Sequence, residues 1–190
     1  MGKINQKPGE VSFVQAIKDF FLGYVDFKGR TTRAGYWWVT LILSLGGFVM
    51  AFAMLGKIFS LVFSLIDDYG YYSESEIAAA LTDSIGVFIL FGVISLALIL
   101  PTLALSVRRY RDAGVTGRGV LTFYIINFVG NIINLNGSSA FLTLIVSAIS
   151  IFFFILSILP TDSLVTTSNS DAMQFFFRKK QEKDSEWVEY

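Results

Sequence analysis

Four stretches of this chain run without an Asp, Glu, Lys or Arg, and the polar residues collect between and around them. The first begins at Tyr36, Trp37 and Trp38, where aromatic rings mark a membrane–water boundary, and runs to about Gly56, with a helical continuation open as far as Ile66. Lys57 is expected to snorkel or to mark the far interface. The second is Ser84–Val107; Pro101 near its end is expected to kink it and free one backbone carbonyl. The third, Val120–Leu135, is short. The fourth, Ala140–Leu159, is stopped by Pro160. Ser44, Gly47 and Ala51 form a small-residue edge on the first span. Upstream, Phe13, Val14, Ile17, Phe20, Phe21 and Tyr24 recur at helical spacing with Gln15, Lys18 and Asp19 opposite. That segment falls well short of the roughly twenty residues a bilayer needs. It reads as an amphipathic helix in the interface, or as a helix packed beneath the bundle. The fold class is therefore all-α: a polytopic membrane protein with four transmembrane helices and an N-terminal amphipathic interfacial helix. The expected divisions are residues 1–35, 36–160 and 161–190. Residues 1–10 read as a disordered lead, and the stretch after Pro160 as a Ser/Thr-rich linker followed by a basic, Phe-containing segment.

Charge orients this arrangement. Of the 190 residues 16% are charged, against about a quarter in a soluble domain, and the mean hydropathy is +0.61. Net charge is zero, yet fourteen of the fifteen Lys and Arg fall in residues 3–33, 108–118 and 178–183, Lys57 being the exception. Basic residues beside spans mark the cytoplasmic side. Four spans with both termini inside leave those fourteen in the cytoplasm. The loop Asp67–Asp83, acidic and tyrosine-bearing, would then be external, with Glu74–Thr82 as a short surface helix, and so would the hairpin Asn134–Ser139. No nucleic-acid partner is expected.

The chain has no cysteine and no histidine. Disulfides, Cys/His metal sites, thiol nucleophiles and the commonest general base are therefore ruled out. No carboxylate lies inside a span, so an intramembrane aspartate dyad lacks its parts. Asp26, Asp112 and Asp162 fall outside the spans with no metal-site spacing, and no phosphate-binding fingerprint occurs. The chain is expected not to be an enzyme and to take no cofactor and no metal.

The chemistry that remains lies in two constellations. Arg30 and Arg33 in the turn before the first span, with Arg108 and Arg109 in the loop Arg108–Arg118, can anchor the chain generically at lipid phosphates. They can instead tie two turns together by pairing with Asp26 and Asp112. As a third reading they hold an anionic headgroup or phosphate, because guanidinium forks match phosphate oxygens, with Asp26 and Asp112 orienting them. Asn127 and Asn131 share a helical face with Asn134, opposite a Ser/Thr edge that includes Ser147 and Ser150. This is either interhelical glue or a polar seam.

Two motifs carry a resemblance. YVDFKGRTTRAGYWW from Tyr24 resembles the pattern aromatic–x–x–F–x–G–R–x–x–R–x–x–(Y/F)–W–W, and PTLALSVRRYRDAGVTG from Pro101 resembles P–x–L–A–L–x–V–R–R–L–H–D–x–G–x–S–G–W. Together, over roughly Val11–Leu159, they are similar to domain-of-unknown-function family 805, the YhaH-like group of small polytopic bacterial inner-membrane proteins. Tyr110 and Arg111 stand where that family usually has Leu and His, and Arg118 where Trp is common. The resemblance implies a bacterial plasma membrane and implies no activity.

The expected function is a non-catalytic component of the bacterial envelope that contacts anionic lipid as a binding or accessory protein. One alternative is a small transporter or channel using the Asn127/Asn131–Ser147/Ser150 seam. Another is an immunity or stress-response protein acting through its external loop. Small-residue edges allow a homo-oligomer or a membrane-protein partner without demanding one.

Overall fold

The computed structural model describes residues 4–66, 74–135 and 139–180. Six helices follow in order: α1 (Phe13–Leu22), α2 (Arg33–Ile66), α3 (Glu74–Asp112), α4 (Gly117–Ile133), α5 (Ala140–Ile158) and α6 (Asp171–Phe176). Among the described residues, strand pairing amounts to isolated bridges. Three helical stretches, Arg33–Ser60, Ser84–Asp112 and Ala140–Ile158, are long and apolar enough to cross a membrane, while α4 is apolar but shorter. Their surfaces expose Phe48, Phe52, Leu96, Phe128 and Leu144. Such helices, with the backbone bonded internally and apolar side chains outward, are those of a multi-pass membrane protein.

Serine and threonine start these helices. Ser12, Thr32, Thr116 and Ser139 accept from the backbone N–H of Gln15, Gly35, Gly119 and Leu142 respectively, at 3.1–3.3 Å. The helix ends depart from the sequence reading. Glu74–Thr82 is no separate surface helix but the start of α3, and α3 continues through Pro101 to Asp112. Arg108–Asp112 is thus helix, not loop, because arginine is a good helix former and a rise in polarity does not stop a helix. The turn is only Ala113–Thr116, made where Gly114 adopts φ +114° and an added Cβ would come within 2.8 Å of the Leu164 backbone. Residues 67–73 of the acidic loop, the tip of the Asn134–Ser139 hairpin and the end of the chain with Trp187 lie outside the described residues.

The chain divides into two compact units, Val39–Leu100 and Met1–Trp38 with Pro101–Tyr190. In the first-named unit the helical surfaces are apolar and mostly exposed, and Phe48 packs on Phe52 one turn away, with ring centroids 5.2 Å apart. The edge of Ser44, Gly47 and Ala51 is exposed, and a Cβ added at Gly47 would meet nothing within 4 Å.

The other unit holds the core. Tyr110, Ala113, Val115, Val120 and Leu156 are buried together, with Tyr124, Phe152, Phe153 and Phe177 around them. Tyr110 stacks on Phe153 at 4.9 Å. α4 lies on α5 so closely that a Cβ at Gly130 would come within 2.7 Å of Val146. Two segments expected to be loose are bonded into this unit. Arg30 donates its backbone N–H to Ile4 O at 2.7 Å, and Gln6 donates to Arg30 O at 3.2 Å. After α5, Asp162 donates to Asp112 O at 2.7 Å, Leu164 to Ala113 O at 2.9 Å and Arg178 to Gly114 O at 2.8 Å. The stretch that reads as a linker is therefore laid across the turn between α3 and α4, where it satisfies carbonyls at the end of α3. α1 buries Ala16, Asp19 and Phe20 and exposes Phe13, Val14, Phe21 and Leu22. Asp19, placed on the water side by periodicity, is instead buried, accepting from Gln6 Nε2 at 2.8 Å and Gln15 Nε2 at 2.7 Å.

Candidate functional site

At its C-terminal end α3 buries Pro101, Ala104, Leu105, Arg108, Arg109 and Asp112, spaced so that all lie on one helical face. Consecutive residues are rotated by about 100° on a helix, so the two arginines reach different neighbours. Arg108 is wholly buried, and its Nη1 donates to Gly23 O at 2.7 Å. Gly23 is the C-cap of α1, where carbonyls lack intrahelical donors. The guanidinium fits there because glycines flank it. A Cβ at Gly23 would overlap it, and one at Gly29 would lie 3.1 Å from Arg108 Cδ.

Arg109, equally buried, does the same for α5. Its Nε donates to Ser157 O at 3.2 Å and its Nη2 to Leu159 O. Its Nη1 donates to Asp112 Oδ2 at 2.6 Å. Ser157 O also accepts from Trp37 Nε1 at 3.2 Å, and Asp112 Oδ2 from Thr161 Oγ1 at 2.9 Å. A cation at a helix C-terminus matches the dipole there as well as its open carbonyls. One dipeptide on α3 thus closes the ends of two other helices.

Asp26 organises the turn before α2. It accepts from the backbone N–H of Ile4 at 2.7 Å, Lys28 at 3.0 Å and Gly29 at 3.2 Å. Burial works to raise its pKa, but these bonds and the positive charge of Arg108 outweigh it, so the carboxyl sits below the ordinary value of 3.8. A carboxyl lowered on folding contributes stability that is fully present above its unfolded pKa and is lost as pH falls through the folded one. We expect the melting temperature of the detergent-solubilised protein to drop below about pH 4. Asp26→Asn should be less stable at pH 7 and should lose less on acidification. Parallel pH profiles for the two proteins would refute the assignment.

The remaining arginines are more open. Arg30 donates to both oxygens of Asp162 at 3.4 Å, and Arg178 pairs with the same carboxylate. Asp162 has φ 58°, a left-handed conformation that aspartate tolerates better than most residues. Arg33 is exposed, near enough to Arg109 for their charges to repel. Arg118 lies over the Phe175 ring, 5.5 Å from its centroid. The four arginines singled out from sequence therefore split, with Arg108 and Arg109 inside and Arg30 and Arg33 at the surface. Asp112 orients Arg109 directly, whereas Asp26 holds the backbone of its own turn and acts on Arg108 through space.

Farther along α4, Asn127 Nδ2 donates to Val146 O at 3.3 Å and to Ser150 Oγ at 3.2 Å, and Asn134 Nδ2 donates to Thr143 Oγ1 at 2.7 Å. These bonds join α4 to α5. Asn131 Nδ2 donates within its own helix to Asn127 O at 2.8 Å. Ser147 is exposed on α5.

The match to a family model decides what this chain is. Residues 24–166, about three quarters of its length, match the model described as "Protein of unknown function (DUF805)". The chain belongs to the DUF805 family. Neither a search of curated proteins nor one of solved structures finds a match. In this DUF805 protein the second motif is the buried face of α3 followed by the Gly114 turn, and the first contains the Asp26 turn, Gly29 and the Thr32 cap. Its departures have physical consequences. Tyr110 brings a ring that stacks on Phe153, and Arg111 brings a cation to a position where its guanidinium lies over Gly117, the first residue of α4.

Several residues of this site escape sequence reasoning. Asp162 gathers two arginines from residues 16 and 132 positions away. Gln6 accepts from Thr32 N at 3.1 Å while donating to Asp19. Ser157 and Leu159 contribute only carbonyls, which any residue carries. Gly23 alone had a local signal, a glycine just past an amphipathic run.

Proposed function

We propose that this DUF805 protein is a non-catalytic, four-crossing component of a bacterial plasma membrane. Both termini are cytoplasmic, and the basic end contacts anionic lipid headgroups as a binding or accessory module. One observation carries the reading: every described Lys and Arg except Lys57 belongs to the unit that gathers the start of α2, the end of α3, the start of α4 and the end of α5. Basic residues held together beside apolar helices favour the cytoplasmic leaflet. Arg30 and Arg33 meet headgroups, while Arg108, Arg109, Asp26 and Asp112 hold the end in shape. The exposed Phe13, Val14, Phe21 and Leu22 of α1 support an interfacial position for that helix. The transporter reading has less support, because Asn127 and Ser150 are bonded to each other across α4 and α5.

A chain with no native cysteine suits labelling by an impermeant maleimide. Cysteine at the exposed positions Lys28 and Ser163 should react only after cells are permeabilised, and at Leu135 in intact cells. Reaction of Lys28→Cys in intact cells would overturn the orientation, and protection of Leu135→Cys would remove the α4 crossing.

A further inference from the structure

Arg30, Arg111 and Arg178 come from three segments far apart in sequence and are gathered beside the turn between α3 and α4. Arg30 and Arg178 share one carboxylate, Asp162, and Arg30 holds it loosely, at 3.4 Å to either oxygen. Arg111 lies close enough to Arg30 for their charges to repel, with Asp26 near enough to attract. Asp26 is already engaged by three backbone N–H groups. Arg178 is drawn in by its backbone, which donates to Gly114 O at 2.8 Å, and Gly114 donates to Arg111 O at 3.2 Å. The Nε atoms of Arg111 and Arg178 are both buried without a hydrogen-bond partner. The Arg111 guanidinium lies where a Cβ on Gly117 would be 2.8 Å from its Nη1. This is the N-terminus of the 17-residue α4, the positive end of its dipole.

Three guanidiniums and a helix N-terminus face two carboxylates, the shared Asp162 and the backbone-bonded Asp26, which leaves about one positive charge uncompensated beside the positive end of the α4 dipole. Like charges do not gather in a half-buried site without cost unless an anion joins them. We infer that Arg30, Arg111 and Arg178 form a receptor for a dianionic phosphate group, either a phosphomonoester headgroup or free inorganic phosphate. A phosphodiester carries one negative charge, whereas a monoester carries about −1.5 to −2 near neutral pH and offers three oxygens to guanidinium forks. The inference rests on the lipid-contact reading above and sharpens it, placing the phosphate on the triad that Arg30 forms with Arg111 and Arg178 beside Asp162.

The experiment uses the full chain in neutral detergent with three probes: inorganic phosphate, dioleoyl phosphatidic acid, and dioleoyl phosphatidylglycerol at equal charge. Thermal shift and lipid retention in native mass spectrometry are read together. Phosphatidic acid or phosphate should stabilise the protein and bind about tenfold or more tightly than the diester lipid. Arg111→Gln should remove that preference while keeping the helical circular dichroism and ligand-free melting of the parent, and Arg111→Lys should keep part of it. If Arg111→Gln does not fold, Arg178→Gln takes its place. Protection by phosphate alone assigns a soluble ligand, and protection by phosphatidic acid alone a lipid. Equal retention of both lipids overturns this inference and leaves generic lipid contact standing. Retention of neither lipid, with no response to phosphate, sinks both. An unchanged preference in both arginine variants rejects the triad.

Discussion

Arg109→Ala is expected to lower the stability of the detergent-solubilised protein by about 3–5 kcal/mol. The loss has two parts. Asp112, 1% exposed, is left as a buried carboxylate with Thr161 still donating to it but its cation gone. The carbonyls of Ser157 and Leu159 lose a charged donor at a helix terminus. Lysine should rescue little, since one ammonium cannot reproduce a fork that serves two carbonyls and a carboxylate at once. Because the cost comes from breaking a pair from one side, replacing Arg109 and Asp112 together with Met and Leu should recover much of it. Denaturant melts of the three variants decide the matter. A single mutant that unfolds with the parent would mean the pair contributes nothing.

Gly23→Ala should be nearly as damaging, for a reason invisible in a substitution table. Gly23 has φ −89°, a backbone conformation that alanine adopts without strain. Here its methyl would occupy the space of the Arg108 guanidinium and lie 2.8 Å from Asp19 O. The arginine must leave its slot, taking a buried charge away from Asp26 and Asp19 and its donor away from the end of α1. A loss of about 3 kcal/mol or more follows. The diagnostic is non-additivity. In the Gly23→Ala, Arg108→Ala double mutant the overlap with the guanidinium is gone, so the combined loss should fall short of the sum by about 1–3 kcal/mol. Additive losses would mean that the two residues do not share the slot.

The helices were legible because hydrocarbon sets a length and forbids charge, and both requirements leave a mark in one dimension. The buried pair was half legible. Pro101, Ala104, Leu105, Arg108, Arg109 and Asp112 stand at helical spacing, but a cluster of charges reads as a loop when polarity alone is used to end a helix. Their role as caps was hidden, since the groups they serve are backbone carbonyls of α1 and α5. The order in residues 4–10 and 161–180 was hidden for a related reason. Neither segment has apolar periodicity, and each is held by hydrogen bonds to a turn distant in sequence, such as Ile4 with Arg30 and Asp162 with Asp112. The polar residues of α4 have partners that the spacing did not give. Asn127 meets Ser150 and Asn134 meets Thr143, while Asn131 bonds back to Asn127 and Ser147 faces outward.

Arg109 and its carbonyl partner on Leu159 are 50 residues apart, with all of α4 and α5 between them. Arg108, by contrast, reaches backwards to a segment already made when α3 is synthesised. On a growing chain the carbonyl partner of the first arginine precedes it, whereas those of the second come only after α4 and α5 have been made. The buried hydrogen bonds of Arg109 are therefore complete only when the end of α5 is in place. The protein's order of manufacture is written into two neighbouring side chains, one looking upstream and one downstream.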